Sequence, residues 1–409
     1  MPINCLYISY DGMTDPLGQS QVIPYLIGLT KQGYSFTLIS CEKEENFAKN
    51  KDLIQSILQE NKIDWQPISY TKKPPVLSTV YDVNRIQKFA FSLHQNKQFK
   101  IVHCRSYIAA LVGLQMKQKF QTKFIFDMRG FWADERVDGK LWNLRNPVYK
   151  TVYNYFKKKE KLFLENADYT ISLTYNAKDE MHTWKHISNN PVNIEVIPCC
   201  ADLDLFDKQK TEVQKVSALK AELKIQQDDF ILMYLGSIGT WYMLEEMMRF
   251  FADLKKQKPN SKFLFVTKDE HERILQTASS YNVKDAIIIR AGNRNEIPAL
   301  ISLCHYSIFF ILPSYSKRAS SPTKQGELMA MGTPIICNSH VGDTDFIVNK
   351  YQSGFVVKDV FAKDFSQDVT AFLNQTYDTE KIISGAKDYF SLENGVQKYA
   401  AVYAAVLGK

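Results

Sequence analysis

Short apolar, β-rich runs alternate with longer amphipathic stretches along most of this chain, and no other feature narrows its fold so far. The first set of runs is Asn4–Ile8, Ser35–Ser40, Ile101–Val102, Phe124–Phe126, Tyr169–Leu173 and Asn193–Ile197, with helical patterns such as Val22–Thr30 and Arg85–His94 between them. Strands separated by helical crossovers predict an α/β fold, a parallel sheet with helices on both faces. A polar stretch, Asp207–Asp229, interrupts the alternation without a strand signal. It resumes with Phe230–Tyr234, Phe263–Val266, Ala286–Ile289, Ser307–Leu312 and Pro334–Cys337. Two doubly wound domains are expected, joined near residues 204–228. The length of 409 residues agrees, at roughly 150 residues per domain. At the end of the chain, Val396, Tyr399, Val402, Tyr403 and Val406 recur at helical spacing.

Composition removes several function classes. Hydrophobic residues make up 45% of the chain, which excludes a disordered or fibrous protein. The net charge of +7 falls mostly before residue 205, but no basic run could track a phosphate backbone, so nucleic acid is not an expected partner. The seven cysteines form no CxxC pair, and the adjacent Cys199 and Cys200 suit neither a disulfide nor zinc. Buried free thiols in a reducing compartment are expected. The histidines show no metal-ligand spacing, and no Asp-x-Asp pair sits where it would hold a nucleotide's metal, so neither metal nor cofactor is expected. Met1-Pro2 runs straight into an apolar strand with no basic leader, and no apolar run reaches ~18 residues. The expected location is the cytoplasm, with the inner face of the plasma membrane as the one membrane contact.

In doubly wound sheets, ligands bind beyond the carboxyl ends of the strands, often on helix N-terminal amides. Three loops meet that description. Tyr10–Gln21 follows the first strand and contains Gly12 and Gly18. Leu235–Tyr242 follows Phe230–Tyr234, with Gly236 and Gly239 three residues apart around Ser237. Neither is a GxGxxG fingerprint or a P-loop. The third, Arg318–Glu327, follows the apolar strand ending at Leu312. There Ser321 reads as an N-cap and Pro322 as the first helical residue, so the next amides would form an anion cradle. Lys324 puts a cation where the helix dipole disfavours one, which an anionic ligand would explain. Glu327 lies one turn further on the same face; an exposed Lys324–Glu327 pair is the plainer alternative.

The block Ser320-Ser-Pro-Thr-Lys-Gln-Gly-Glu-Leu-Met-Ala-Met-Gly-Thr-Pro-Ile-Ile resembles the nucleotide-sugar motif of the retaining GT-B glycosyltransferases of family 4. Ile197-Pro-Cys-Cys-Ala-Asp-Leu-Asp-Leu-Phe206 resembles that family's inter-domain signature, with Cys199, Cys200 and Ala201 replacing its usual residues. Leu235-Gly-Ser, Ser353-Gly354 and Phe390-Ser391 with Tyr399 and Tyr403 extend the likeness along nearly the whole chain. The resemblance implies a GT-B architecture, two Rossmann-like domains facing a cleft. An acceptor-side domain would occupy 1–203 and a donor domain 204–385, with a C-terminal helix, 386–409, crossing back. It also implies a retaining transfer from a nucleotide diphosphate sugar to a glycan or lipid-linked hydroxyl. Glu327 would bind the donor's ribose. Arg318, Ser320, Ser321, Pro322, Thr323 and Lys324 would hold the diphosphate, approached by Gly236, Ser237 and Gly239. Gly18 would lie on the acceptor side, and Asp127 and Arg129 near the sugar.

The departures are specific. Ala319 stands where the family's paired-glutamate motif has its first glutamate, and two phosphate-binding cations are missing around Ser237 and Thr240–Met243. Arg318, Lys268 and Arg129 are candidates to replace them. Two other functions stay open: a nucleotide-sugar epimerase or hydrolase, and a donor-binding subunit of a glycan assembly complex that does not turn over. Finally, Pro147–Phe163 carries Lys150, Lys157, Lys158, Lys159 and Lys161 beside Tyr149, Tyr153, Tyr155 and Phe156, a pattern suited to an anionic membrane surface as well as to an ordinary packed helix.

Overall fold

A computed structural model describes residues 2–409; Met1, where the reading of the N-terminus began, lies outside them. The chain divides into two compact units. Unit 1 comprises residues up to Pro198 together with Leu392–Lys409, and unit 2 is Cys199–Ser391. The sequence had been divided at 203/204 and 385/386.

Unit 1 is built on seven parallel strands: β1 (Ile3–Ser9), β2 (Tyr34–Glu42), β3 (Asp64–Ser69), β4 (Ile101–Arg105), β5 (Lys123–Asp127), β6 (Tyr169–Ser172) and β7 (Ile194–Val196). Their order in the sheet is β3-β2-β1-β4-β5-β6-β7. Unit 2 has six: β8 (Phe230–Leu235), β9 (Ser261–Val266), β10 (Ile287–Arg290), β11 (Tyr306–Phe309), β12 (Ile335–Asn338) and β13 (Gly354–Val357), ordered β10-β9-β8-β11-β12-β13. The central strands are buried along almost their whole length, because helices cover both faces and every side chain must be apolar or paired. In unit 2 the rings of Phe251, Phe263 and Phe265 pack at a tilt against one another through the core.

Two edge strands escaped the sequence reading. β3 contains Pro67, which cannot donate to a ladder and is tolerated because β3 has a neighbour on one side only. β13 is four residues long and begins at Gly354. That glycine holds φ +156°, and a Cβ there would lie 1.8 Å from the Ile335 carbonyl oxygen.

The polar stretch after the first sheet folds locally into the helix Val213–Glu222. The closing helix, Leu392–Val406, packs on the helix Ile23–Thr30 within unit 1, and Lys398 Nζ donates to the Val196 carbonyl at 2.9 Å. The helix Pro147–Asn166 only partly presents the basic face expected of it. Lys157 lies inward, paired with Asp134 at 2.8 Å and with Glu160, and Glu160 also accepts the Tyr107 hydroxyl. A lysine with two carboxylates at hand gives up hydration for charge-assisted bonds, which a sequence pattern cannot reveal. Lys150, Lys158 and Lys161 remain exposed. Among the described residues no helix is long and apolar enough to cross a membrane.

Candidate functional site

Sheet order decides where ligands can enter. The direction of strand addition reverses between β1 and β4 in unit 1, and between β8 and β11 in unit 2. At such points two crossovers leave in opposite directions and open a crevice beyond the carboxyl ends. All three loops picked out in the sequence follow β1, β8 or β11.

In unit 2 the loops after β8 and β11 are stitched together. Leu312 N–H donates to the Trp241 carbonyl at 2.8 Å, and Met243 N–H donates to that of Phe310 at 3.0 Å. The helix after β11 spans Thr323–Ala330, one residue later than expected, because Pro322 is extended at ψ 115°. Ser321 is therefore not its cap. Its hydroxyl instead accepts the Cys199 N–H at 3.2 Å, within the same unit.

Lys324 occupies the first turn of that helix and is buried, not an exposed partner of Glu327. Its ammonium lies 3.8 Å from the Tyr242 ring centre and 4.4 Å from that of Tyr234, and it donates to the Tyr234 hydroxyl at 3.3 Å. Such rings attract a cation through their faces without neutralising it. Burial, only partly opposed by Glu327, pulls its pKa down to about 7. Above it sits Gly236, at φ +117°, where a Cβ would stand 3.1 Å from Nζ. The backbone angle calls for a glycine, and the lysine beneath leaves a Cβ little room.

The neighbouring loop is held from β9's carboxyl end. Ser237 donates its hydroxyl to Asp269 at 2.8 Å, and the Ile238 amide donates to the same carboxylate. Gly239 is exposed beside Ser237. Glu327 is buried, and burial pushes its carboxyl above the usual range, against the pull of Arg294 and Lys324. Arg294 reaches it at 3.1 Å from beyond the end of β10, with its guanidinium over the Phe206 ring. Arg318 is exposed beside Tyr315, and Lys268 is exposed too. The buried cation of that segment is instead Lys317, 3.7 Å from the centre of the Trp241 ring. Ser320, Ser321, Pro322 and Thr323 are half-buried at the mouth of the helix. Arg294, Lys317 and Asp269 were not singled out in the sequence; their only signal was a place just past a strand end.

The crevice of unit 1 is different. Gly18 lies in the short helix Pro16–Gln21, where a Cβ would meet the Gly12 carbonyl oxygen at 2.3 Å, so it serves close packing of the loop on itself. Glu42, at the end of β2, holds that loop. Its carboxylate accepts the Met13 amide at 2.7 Å, the Thr14 amide at 3.1 Å, and the hydroxyls of Thr14 and Ser40. Asp127 and Arg129 do come together, 3.9 Å apart, with Arg129 at φ +57°. The Asp127 side chain is only 1% exposed. It accepts the Tyr399 hydroxyl at 3.0 Å and lies 3.5 Å from His103 Nε2, while His103 Nδ1 meets the Tyr403 hydroxyl at 2.8 Å. Burial works against its charge, but Arg129, His103 and Arg105 overcome it and hold the carboxyl below the usual range. Burial likewise lowers the pKa of His103. Among the described residues no three His, Cys, Asp or Glu side chains are grouped to hold a metal ion.

Comparison with known proteins agrees with this geometry. The family model "Glycosyl transferases group 1" matches residues 216–389, and "Glycosyltransferase Family 4" matches residues 22–205. The chain is 22% identical over 178 residues to the α-monoglucosyldiacylglycerol synthase of Acholeplasma laidlawii; the match spans 42% of each chain. Its structure is similar to a sucrose-phosphate synthase from Thermosynechococcus elongatus, with a TM-score of 0.72 and 16% identity over 99% of both chains. It is also similar to Anabaena HepE in complex with UDP and glucose, with a TM-score of 0.67 and 13% identity over 98% of this chain and 100% of that one. Two all-parallel Rossmann-like sheets, a buried lysine and glutamate one turn apart past the switch-point strand, and matches to both halves lead to one conclusion: the chain is a glycosyltransferase of the GT-B, family 4 type.

Proposed function

We propose that this glycosyltransferase moves a hexose-type sugar from a nucleoside diphosphate donor to a hydroxyl, with retention of anomeric configuration. The acceptor would be a glycan or lipid-linked glycan of the cell surface, reached by peripheral contact with the inner face of an anionic membrane. One arrangement carries the reading: Lys324, buried under Gly236 among aromatic rings, with Glu327 one turn along. A cation surrounded by rings and glycine backbone is built for an anion that arrives later. HepE was solved with UDP and glucose, which supports this donor class.

In this reading Lys324 and the amides past Ser321 hold the diphosphate. Ser320, Pro322 and Thr323 shape its approach, with Gly236, Ser237 and Gly239 on the other side. Arg318 adds an exposed cation beside Tyr315. Glu327 accepts the ribose hydroxyls and Arg294 orients it. In unit 1, Asp127 is a positioning residue that holds Arg129 and Tyr399. The bond from the anomeric carbon to the diphosphate oxygen breaks, and the acceptor oxygen bonds to the same face. The acceptor's proton passes to the leaving phosphate, so no protein nucleophile is used. Lysine and amides stabilise the leaving charge, so no metal is needed.

Thermal melts with UDP, GDP and ADP test the donor. The right one, at ~100 times its Kd, contributes about 2.7 kcal/mol, a rise of about 3 °C where the whole chain melts as one and of about 7 °C where unit 2 melts by itself. The matching nucleotide sugar and an acceptor should then give product of unchanged anomeric configuration, equally with and without EDTA. No stabilisation by any nucleotide removes the donor assignment; activity lost to EDTA and restored by Mg²⁺ removes metal independence. A second reading, a donor-binding subunit without turnover, is favoured by Ala319, buried where the family's first glutamate would stand. It predicts stabilisation with no product.

A further inference from the structure

Large apolar side chains left in water gather in two places on the described surface. Val148, Tyr155 and Leu162 recur every seventh residue along the helix Pro147–Asn166, where Lys157 and Lys161 are already paired with acids. A denser group precedes the helix Leu77–Lys97 and runs into it. Val76, Leu77, Val80 and Tyr81 are 36%, 67%, 53% and 56% exposed, and lie within six residues of one another. Lys72, Lys73, Pro74 and Pro75, just before them, are exposed too. The segment leaves the carboxyl end of β3 and runs into the helix Leu77–Lys97, so it stands on the same edge of the unit 1 sheet as the loops after β1 and β4.

This exposure is held in place. Asp82, fully buried, accepts the Tyr10 hydroxyl at 3.0 Å, the Thr71 amide at 3.0 Å and the Thr71 hydroxyl at 2.7 Å. The Tyr10 and Tyr70 rings meet edge to face at 5.5 Å. The base of the segment is therefore tied to the loop after β1 while its apolar side chains point to solvent.

Charge selects the occupant. From Tyr70 to Arg85 the only acid is Asp82, which is buried, while Lys72 and Lys73 are exposed. A second copy of this chain packing the same patch on itself would set lysine against lysine. Anionic lipid headgroups complement the lysines, and the acyl boundary beneath them takes the apolar side chains. We infer that Lys72–Tyr81 is the surface on which unit 1 rests on an anionic bilayer, and that the helix Pro147–Asn166 is not. The inference rests on the peripheral-membrane reading above and names its surface.

Sedimentation of the full chain with phosphatidylglycerol-containing vesicles, at low and high salt, tests it. Leu77→Ser/Tyr81→Ser and Lys72→Gln/Lys73→Gln should each weaken low-salt binding roughly tenfold or more. Lys150→Gln/Lys158→Gln/Lys161→Gln should bind nearly as the wild type does. Melting temperatures close to wild type establish that all three variants fold. If the last variant loses binding while the first two keep it, the surface lies elsewhere and peripheral association stands. If the wild type does not bind, both readings fall. A concentration-dependent dimer in light scattering that Leu77→Ser/Tyr81→Ser abolishes would make the patch a self-association face and overturn the inference.

Discussion

The carboxyl edges of the two sheets share a topology and differ in what their charges have to do. In unit 2 the cation beside the switch point, Lys324, has rings and a tyrosine hydroxyl around it, and the nearby carboxylates are occupied elsewhere: Asp269 by Ser237 and Ile238, Glu327 by Arg294. In unit 1 the charges at strand ends are consumed internally. Glu42 ties down Met13 and Thr14, and Asp127 ties down Tyr399 of the closing helix. A buried charge with its bonds made is a structural anchor, whereas one enclosed without a counter-charge is poised for a ligand. The edges therefore divide the labour: one accepts an anion, the other fixes the frame.

The sharpest way to break this comparison is at Glu327. Glu327→Ala should cost about 2–4 kcal/mol in donor binding or transfer, because ribose hydroxyls and Arg294 lose their acceptor. Steady-state kinetics with a nucleotide sugar reads it, and unchanged constants would take Glu327 out of the site. Tyr399→Phe is the complementary lesion. Removing a buried hydroxyl from a carboxylate should cost about 1.5–3 kcal/mol of stability, read in chemical denaturation, with donor affinity by calorimetry unaltered. Affinity lost at unchanged stability would show that unit 1's edge also handles ligand.

The smallest effect concerns pH. Lys324 is pulled to about 7 in the donor-free protein, from a usual value of 10.5. A diphosphate raises it again, so binding takes up a proton. Donor affinity should fall as pH rises above about 7, by at most about tenfold per pH unit. The same lysine acts oppositely on folding. Between about 7 and 10.5 the unfolded chain holds the proton more tightly, so its contribution to stability rises with pH across that window. Calorimetry in buffers of different ionisation enthalpy reads the proton directly; no uptake near pH 7.5 would mean that Lys324 is charged throughout.

The sequence carried most of this unevenly. Alternation exposed both sheets because buried parallel strands must be continuously apolar. Of the four edge strands β7 and β10 keep an apolar run, whereas β3 is broken by Pro67 and β13 is four residues opened by Gly354, so these two pass for loops. Lys324 was visible because the first turn of a helix does not favour a cation without a ligand, Gly236 because two glycines three apart allow close backbone approach, and Glu327 through its one-turn spacing from Lys324 and the family resemblance. Arg294 and Asp269 were not, since each is an ordinary polar residue after a strand. Only the order β10-β9-β8-β11 brings those ends beside the helix of Lys324. Lys157 shows the same limit from the other side: among five lysines, nothing local marks the one that turns inward to two carboxylates.

Unit 1 is interrupted in the chain: it stops at Pro198 and resumes at Leu392, with all of unit 2 between. During synthesis the seven-stranded sheet is made before unit 2, but the helix whose Tyr399 and Tyr403 cap its buried Asp127 and His103 is made after it. On the ribosome, unit 2 can complete its core while unit 1 still waits for its final segment. A premature stop near residue 391 would therefore damage the half of the protein already made, hundreds of residues upstream, and leave the half next to the lesion whole.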